Sequence, residues 1–264
     1  MSLENQVVSF IGSGMMAEAM IKGLLHKKLL PVDNIIASDP RADRGEELVQ
    51  RYGLRFTHDN AEAAAAADIL VLSIKPQVLG QVIPSLRRSA RDVSMVLSIL
   101  AGVRIRTLSD GLANASVVRA MPNTPAQIGQ GITVWTATPE VPEPQREQAR
   151  ALLGALGEEL YMEDEKYLDM ATALSGTGPA YVFLFMEALI DAGVHMGFSR
   201  RDAERLVLQT MSGSVEFARN SGLHPAQLRN QVTSPGGTSA EAIYQLEKGG
   251  LRTVFSKSVY AAYQ

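Results

Sequence analysis

A chain of 264 residues, 46 % hydrophobic, 20 % charged and with a net charge of −3, is long enough for one large or two ordinary domains and too apolar to stay disordered. The slight acidic balance and the lack of a basic cluster argue against a nucleic-acid surface, and the absence of cysteine excludes disulfides, thiolate nucleophiles and Cys-ligated metals. The start, MSLENQVVSFIG, has no basic segment leading into a cleavable apolar run; the most apolar stretch, PAYVFLFMEALI (179–190), carries Glu187 and is shorter than the about 20 residues a membrane span needs, so a cytoplasmic protein without membrane contact is expected.

Residues 6–160 alternate between short β-branched runs and helical patterns. QVVSFIG (6–12), NIIASD (34–39), DILVLSI (68–74), DVSMVLSI (92–99), ASVVRAM (115–121) and GITVWTA (131–137) read as buried strands. Amphipathic stretches such as AEAMIKGLLHK (17–27) and RGEELVQRYG (44–53) lie between them, which predicts βαβ units and a mostly parallel sheet. VPEPQREQARALLGALG (141–157) reads as one more helix, begun by prolines and ended by Gly157.

The first strand runs into Gly12, Ser13, Gly14, Met15, Met16 and Ala17, a G-x-G-x-x-A loop at the head of a helix. In that context the glycines permit a tight turn and close approach of a pyrophosphate, Ala17 permits close helix–strand packing, and the helix start receives the anion. These residues are the first cofactor candidates, although Met15 and Met16 are expected to pack their side chains on the helix; a tight βα turn without a ligand is the alternative. The second strand ends in Ser38-Asp39-Pro40-Arg41. An acid there favours the ribose hydroxyl of NAD, and a nearby Ser and Arg favour the 2′-phosphate of NADP; both are present, with the lean toward NADPH and NADH as the alternative. Two further strand ends carry Lys75-Pro76 and, in RAMPNTPAQIGQG (119–131), Asn123. Lys75 is a candidate for a phosphate or ribose and Asn123 for a carboxamide, against the plainer readings of a solvated charge and a rigid crossover. The fold class expected is α/β, with a Rossmann-like dinucleotide-binding domain over 1–162.

From about residue 163 the strand signal stops. Helical patterns cover 165–174, 179–196, 200–220, 224–231 and 239–248, with a last one from 251, so 163–264 is expected to be all helical. Ser199 suits an N-cap; Gly222 and Gly249–Gly250 suit stops. The helix at 179–190 is apolar nearly all round and needs burial on every side, which a dimer would supply. FSKSVYAAYQ has no C-cap, so its helix is expected to continue further. Before the 239–248 helix stands SPGGTS: Ser234, Pro235, Gly236, Gly237, Thr238 and Ser239, in a stretch (232–243) that contains no Lys, Arg or His. Backbone amides at a helix start, with hydroxyls beside them, make a concavity for an anionic group; a Gly-rich turn with a Ser/Thr cap is the alternative. The four histidines, His26, His58, His195 and His224, have no metal spacing and read as surface or helix-end residues. With no G-x-S-x-G elbow and no prominent carboxylate pair, the chemistry should come from a cofactor.

Taken in order, G-x-G-x-M-A (12–17), KP (75–76), MPNTPA (121–126), SGTGPAY (175–181) and SPGGTS (234–239) resemble the Δ1-pyrroline-5-carboxylate reductase family over about residues 6–260. The resemblance implies reduction of a cyclic imine to L-proline with NAD(P)H, the last step of proline biosynthesis. It also implies a helical C-terminal dimerisation domain, an interlocked homodimer and, in several members, a decamer built from such dimers. It implies that Ser239, with Thr238, is catalytic, with Ser239 donating to or orienting the imine nitrogen. Ser234, Gly236, Gly237 and Thr238 would hold the substrate carboxylate, and Asn60 would contact the adenosine phosphate. Thr177 and Ser239 depart from the family's usual SGSGPAY and SPGGTT, each keeping a hydroxyl. Two other readings stay open. A hydroxyacid-dehydrogenase type needs a lysine acid–base on a second-domain helix, whereas the lysines after 157 are Lys166, Lys248 and Lys257, none in a glycine-flanked helical motif. A catalytically silent NADP-binding dimer would keep 12–17 but has no use for SPGGTS.

Overall fold

A computed structural model describes residues 3–264; residues 1 and 2, counted in the expected N-terminal domain, lie outside the described residues. The chain divides into two compact units, one ending at Thr177 and one running Gly178–Gln264.

The first unit is a sheet covered on both faces. In chain order it contains β1 (Val8–Ile11), α1 (Met15–His26), β2 (Ile35–Ser38), α2 (Ala42–Tyr52), β3 (Arg55–Thr57), α3 (Asn60–Ala65), β4 (Ile69–Leu72), α4 (Leu79–Ala90), β5 (Met95–Ser98), α5 (Ile105–Leu112), β6 (Val117–Met121), β7 (Gly131–Ala137), α6 (Glu143–Gly154), β8 (Gly157–Tyr161) and α7 (Lys166–Ala171). The strand order is β3-β2-β1-β4-β5-β6-β7-β8, and only the β6·β7 pair is antiparallel. Successive side chains on a strand point to opposite faces. Hence Val8 and Phe10 of β1, Ile69 and Val71 of β4, and Met95 and Leu97 of β5 join one buried cluster with Met20, Ile21 and Leu24 of α1 and Leu152 of α6. Ile11, Leu70, Leu72 and Val96 join the other, with Leu86 of α4 and Leu108 and Leu112 of α5. Burial on both faces is why these strands read as unbroken apolar runs.

Several expectations are amended here. β3 and β8 carry no apolar run and so no strand signature in the sequence; both are sheet edges, and GEELY alternates half-buried with exposed positions. The helix begun by Pro142 stops at Gly154, not Gly157. Gly157 instead opens β8 at φ +138, and a Cβ there would strike the Gly131 backbone on the neighbouring strand. The expected helix 165–174 is α7 followed by a π-turn over Thr172–Gly176, in which the Thr177 amide reaches back to the Thr172 carbonyl at 2.9 Å. Residues 163–177 thus fall in the first compact unit rather than with the later helices.

The second unit is helical throughout: α8 (Gly178–His195), α9 (Arg200–Ser221), α10 (Pro225–Gln231), α11 (Thr238–Lys248) and α12 (Leu251–Tyr263). Ser199 caps α9 as expected, accepting from the Asp202 amide at 3.1 Å. α8 packs on α9, where Gly193 lies against Ala203. Within one chain, however, Gly193 is the only buried residue of α8, and Val182, Phe183, Leu184 and Leu189 are exposed. Because the π-turn joins α7 to α8, the helical run Lys166–His195 is, by length and composition alone, long and apolar enough to cross a membrane. The reading of 179–190 as too short is corrected to that extent; the core helix of a soluble assembly passes the same test.

Candidate active site

The order of β2, β1 and β4 places the topological switch beyond the carboxyl ends of β1 and β4, where α/β sheets bind ligands. A cleft of about 950 Å³ opens there, lined among others by Gly12, Ser13, Gly14, Met15, Ser38, Asp39, Arg41, Asn60 and Lys75. Gly12 has φ +90, and an added Cβ would lie 2.7 Å from Ile74 Cγ2 and 2.9 Å from the Ile74 amide, so only glycine allows this turn against β4. Gly14 is the N-cap of α1, makes no side-chain cap, and leaves open space where a Cβ would stand. The first intrahelical bond, Glu18 N to Gly14 O at 3.0 Å, leaves the Met15 and Met16 amides as orphan donors of the kind that receive an anion at a helix start. Contrary to expectation, the Met15 side chain does not pack; it is 71 % exposed at the cleft, whereas Met16 is half-buried against the core.

The far end of the cleft is organised by Asp39, which is buried. Its Oδ2 accepts from the Ser13 amide (3.0 Å) and from an Arg41 terminal nitrogen (3.2 Å); its Oδ1 accepts from the Arg41 amide (3.1 Å) and Arg41 Nε (2.9 Å). Burial pushes the Asp39 carboxyl up, but the Arg41 guanidinium and the two amides outweigh it and hold the group below its ordinary range. The Ser38 hydroxyl donates to Asn60 Oδ1 at 2.8 Å, which ties the end of β2 to the start of α3. His58, which the sequence reading set aside, lines the same cleft and donates from Nδ1 to the Asp39 carbonyl at 3.0 Å. Arg44 was also missed. Its Nε donates to the Ser13 carbonyl at 2.7 Å, and its terminal nitrogens reach Glu18 and Glu47, each at 2.5 Å. A strand assignment for RFT would have put His58 at a strand end and made it a candidate.

Lys75 is exposed at the cleft, with Pro76 opening the 3-10 turn after it. Asn123 stands elsewhere. Its Oδ1 accepts from the Ile132 amide at 3.0 Å and its Nδ2 donates to the Ser175 carbonyl at 3.1 Å, so it stitches the MPNTPA loop to the π-turn of SGTG. One amide proton and one lone pair remain for another partner. Gly176 faces Met121 at the same junction, 2.7 Å from where its Cβ would be.

In the second unit, SPGGTS forms a tight turn into α11. Gly236 sits at φ +72, the Gly237 amide returns to the Ser234 carbonyl at 3.0 Å, and Gly237 is the N-cap without a side-chain cap. The first amides bonded within the helix are those of Ala240 and Glu241, both to the Gly237 carbonyl, so the Thr238 and Ser239 amides are unclaimed. Nor do the hydroxyls of Ser234, Thr238 and Ser239 cap the helix. Donors left over at a helix start fit an anion-holding turn better than a simple Ser/Thr cap.

The glycine cradle, the orphan amides of α1 and the saturated Asp39 fit a dinucleotide. Among the described residues no group of three or more His, Asp or Glu is placed to hold a metal.

Comparison with known proteins covers both units. Residues 165–264 match the family model described as pyrroline-5-carboxylate reductase dimerisation, and residues 7–102 match that of coenzyme F420-dependent NADP oxidoreductases. The chain is 40 % identical to a pyrroline-5-carboxylate reductase of Synechocystis over 97 % of its length and 96 % of that protein's. It is 41 % identical to the enzyme of that name from Pseudomonas aeruginosa, covering 97 % and 94 %. Among solved structures, the pyrroline-5-carboxylate reductase of Coxiella burnetii superposes with a TM-score of 0.90 at 34 % identity, covering 98 % of this chain and 97 % of the other. The Plasmodium falciparum pyrroline carboxylate reductase, with NADP bound, also gives 0.90, at 32 % identity and coverage of 98 % and 96 %.

Proposed function

The chain belongs to the pyrroline-5-carboxylate reductase family, and from that premise we propose that it reduces the C=N bond of Δ1-pyrroline-5-carboxylate to L-proline with NADPH. The observation that carries the site assignment is the uncapped start of α11, where two amides and three hydroxyls are left without an internal use. A small carboxylate-bearing imine is the ligand that this set suits. When bound, NADPH supplies the hydride that the imine carbon receives.

In this reading Gly12, Ser13, Gly14, Met15 and Met16 cradle the pyrophosphate, with the last two acting through their amides. Ser38, Asp39, Arg41 and Asn60 line the adenosine end, and Lys75 borders the cleft, with Pro76 opening the turn that follows it. Asn123 shapes the loop beyond β6. The substrate carboxylate rests on Ser234, Gly236, Gly237 and Thr238, in a turn that itself contains no Lys, Arg or His. Ser239 orients the imine nitrogen. A protonated imine is already electrophilic, so the protein's main contribution is alignment, which carries about 7–11 kcal/mol when reacting atoms are held near contact. The exposed apolar face of α8 fits a homodimer formed through the second unit. Assembly into decamers and a cytoplasmic location belong to the same proposal.

The deciding experiment follows NADPH absorbance with pyrroline-5-carboxylate as substrate and proline as the product measured. Stoichiometric proline formation is expected. Binding of NADPH without turnover would favour the silent binder, and turnover of a hydroxyacid instead would favour the dehydrogenase type.

A further inference from the structure

An acid at the end of the second strand of such a sheet ordinarily accepts from the ribose hydroxyl of NAD and repels the 2′-phosphate of NADP. Asp39 stands at that place, yet its capacity is spent. A carboxylate offers about four acceptor positions, and here the Ser13 amide, the Arg41 amide, Arg41 Nε and an Arg41 terminal nitrogen take one each. The side chains are unequally placed: Asp39 is 7 % exposed and Arg41 57 %. Arg41 therefore lies over the carboxylate on its solvent side and lines the cleft. A guanidinium has five N–H donors, and only two are committed to Asp39, so the rest are free for a phosphate. Arg44, the other arginine of the cleft, is not free in this way, because Glu18, Glu47 and the Ser13 carbonyl hold it.

Resting on the reductase reading, we infer that Arg41 sets the preference for NADPH over NADH by masking Asp39, so that an acid suited to a ribose hydroxyl serves instead as the anchor of a phosphate-binding cation. The mask has two parts. Pairing cancels the charge that would repel a 2′-phosphate, and the buried carboxylate fixes the guanidinium so that it need not be ordered on binding. Without Arg41 the same carboxylate regains two acceptor positions and its full negative field at the adenosine end. Removing Arg41 is therefore expected to transfer preference to NADH rather than merely weaken NADPH.

The test is equilibrium binding, separate from turnover. NADPH and NADH are titrated by nicotinamide fluorescence, and 2′,5′-ADP and 5′-AMP by calorimetry, with the wild type, Arg41→Ala and Arg41→Lys at one ionic strength. Arg41 is largely exposed, so both variants should fold. Arg41→Ala should bind NADPH and 2′,5′-ADP more weakly by about tenfold or more, the change carried by one charge-assisted hydrogen bond. It should bind NADH and 5′-AMP several-fold more tightly, while Arg41→Lys keeps the wild-type order. If Arg41→Ala loses NADPH affinity and NADH affinity does not rise, Arg41 is only a phosphate contact and the mask is refuted. An unchanged ratio of the two affinities refutes it as well. A wild type that binds neither dinucleotide overturns the reductase reading itself, and the mask with it.

Discussion

Ser239 sits in the first turn of α11 with a hydroxyl that no cap consumes. If it only orients the imine nitrogen, Ser239→Ala removes one neutral hydrogen bond, and kcat/KM should fall by roughly 2- to 12-fold, the equivalent of about 0.5–1.5 kcal/mol. The acidic limb of the pH–rate profile should stay where it is, because the titrating group is then the imine. A loss of several hundredfold together with a displaced limb would make Ser239 a proton donor. Thr177, the other departure from the usual family motif, has a different employment. Its hydroxyl donates to the Thr172 carbonyl at 2.8 Å and so closes the π-turn beside the amide bond to the same oxygen. Replacing it by Val should lower Tm without the loss in kcat/KM of Ser239→Ala, a difference that thermal unfolding and steady-state kinetics read side by side.

Between elements, the glycine loop is braced by α1 and α2. Glu18 accepts from Arg44 at 2.5 Å, from Tyr52 at 2.9 Å and from Arg51. Burial raises the Glu18 carboxyl, but the hydrogen bonds from Arg44 and Tyr52, the Arg44 charge and the Arg51 contact prevail, and its folded pKa lies below the ordinary value. A depressed folded pKa means stability that is present above the unfolded value of about 4.3 and is lost as pH falls through the folded one. Glu18→Gln should therefore unfold at a lower temperature than the wild type at pH 7, and the gap should close in the acid range below pH ~4. A gap that stays constant with pH would mean that the carboxylate charge contributes nothing. The same scale explains what could be read in the chain. β1, β4 and β5 are buried on both faces and announce themselves as apolar runs; β3 and β8 are edges with exposed positions and do not. The two glycine turns are local, so their residues can be read from the sequence as anion-holding helix starts, with a ligand-free turn as the alternative at each until the other motifs are added. Asn123 is legible only as a polar residue in a loop, because its partner Ser175 lies 52 positions away. The π-turn has no periodic signature at all, and its i to i+5 bond shows only in three dimensions.

For the whole molecule, α8 sets the requirement. Phe183 and Leu184 are 61 % and 67 % exposed in a single chain, and burying each such side chain contributes about 1.5–3 kcal/mol. Several of them together favour a dimer that does not separate on dilution, with a Tm that rises with protein concentration; light scattering giving the mass of one chain would refute this. Dimerisation also bears on the proposed reaction, which assigns the cofactor to the glycine loop and the substrate to the SPGGTS turn. If helical units exchange, the two come from different subunits. Complementation separates the cases. Gly14→Asp and Thr238→Asp each place an acid at a helix start, which the helix tolerates, while repelling the pyrophosphate or the substrate carboxylate. Each variant alone should be nearly inactive. In a heterodimer isolated with two different tags, shared sites leave one defective in both loops and one intact in both, so about half the wild-type activity should return. Sites built within single chains would each keep one defect, and the heterodimer would be as inactive as its parents.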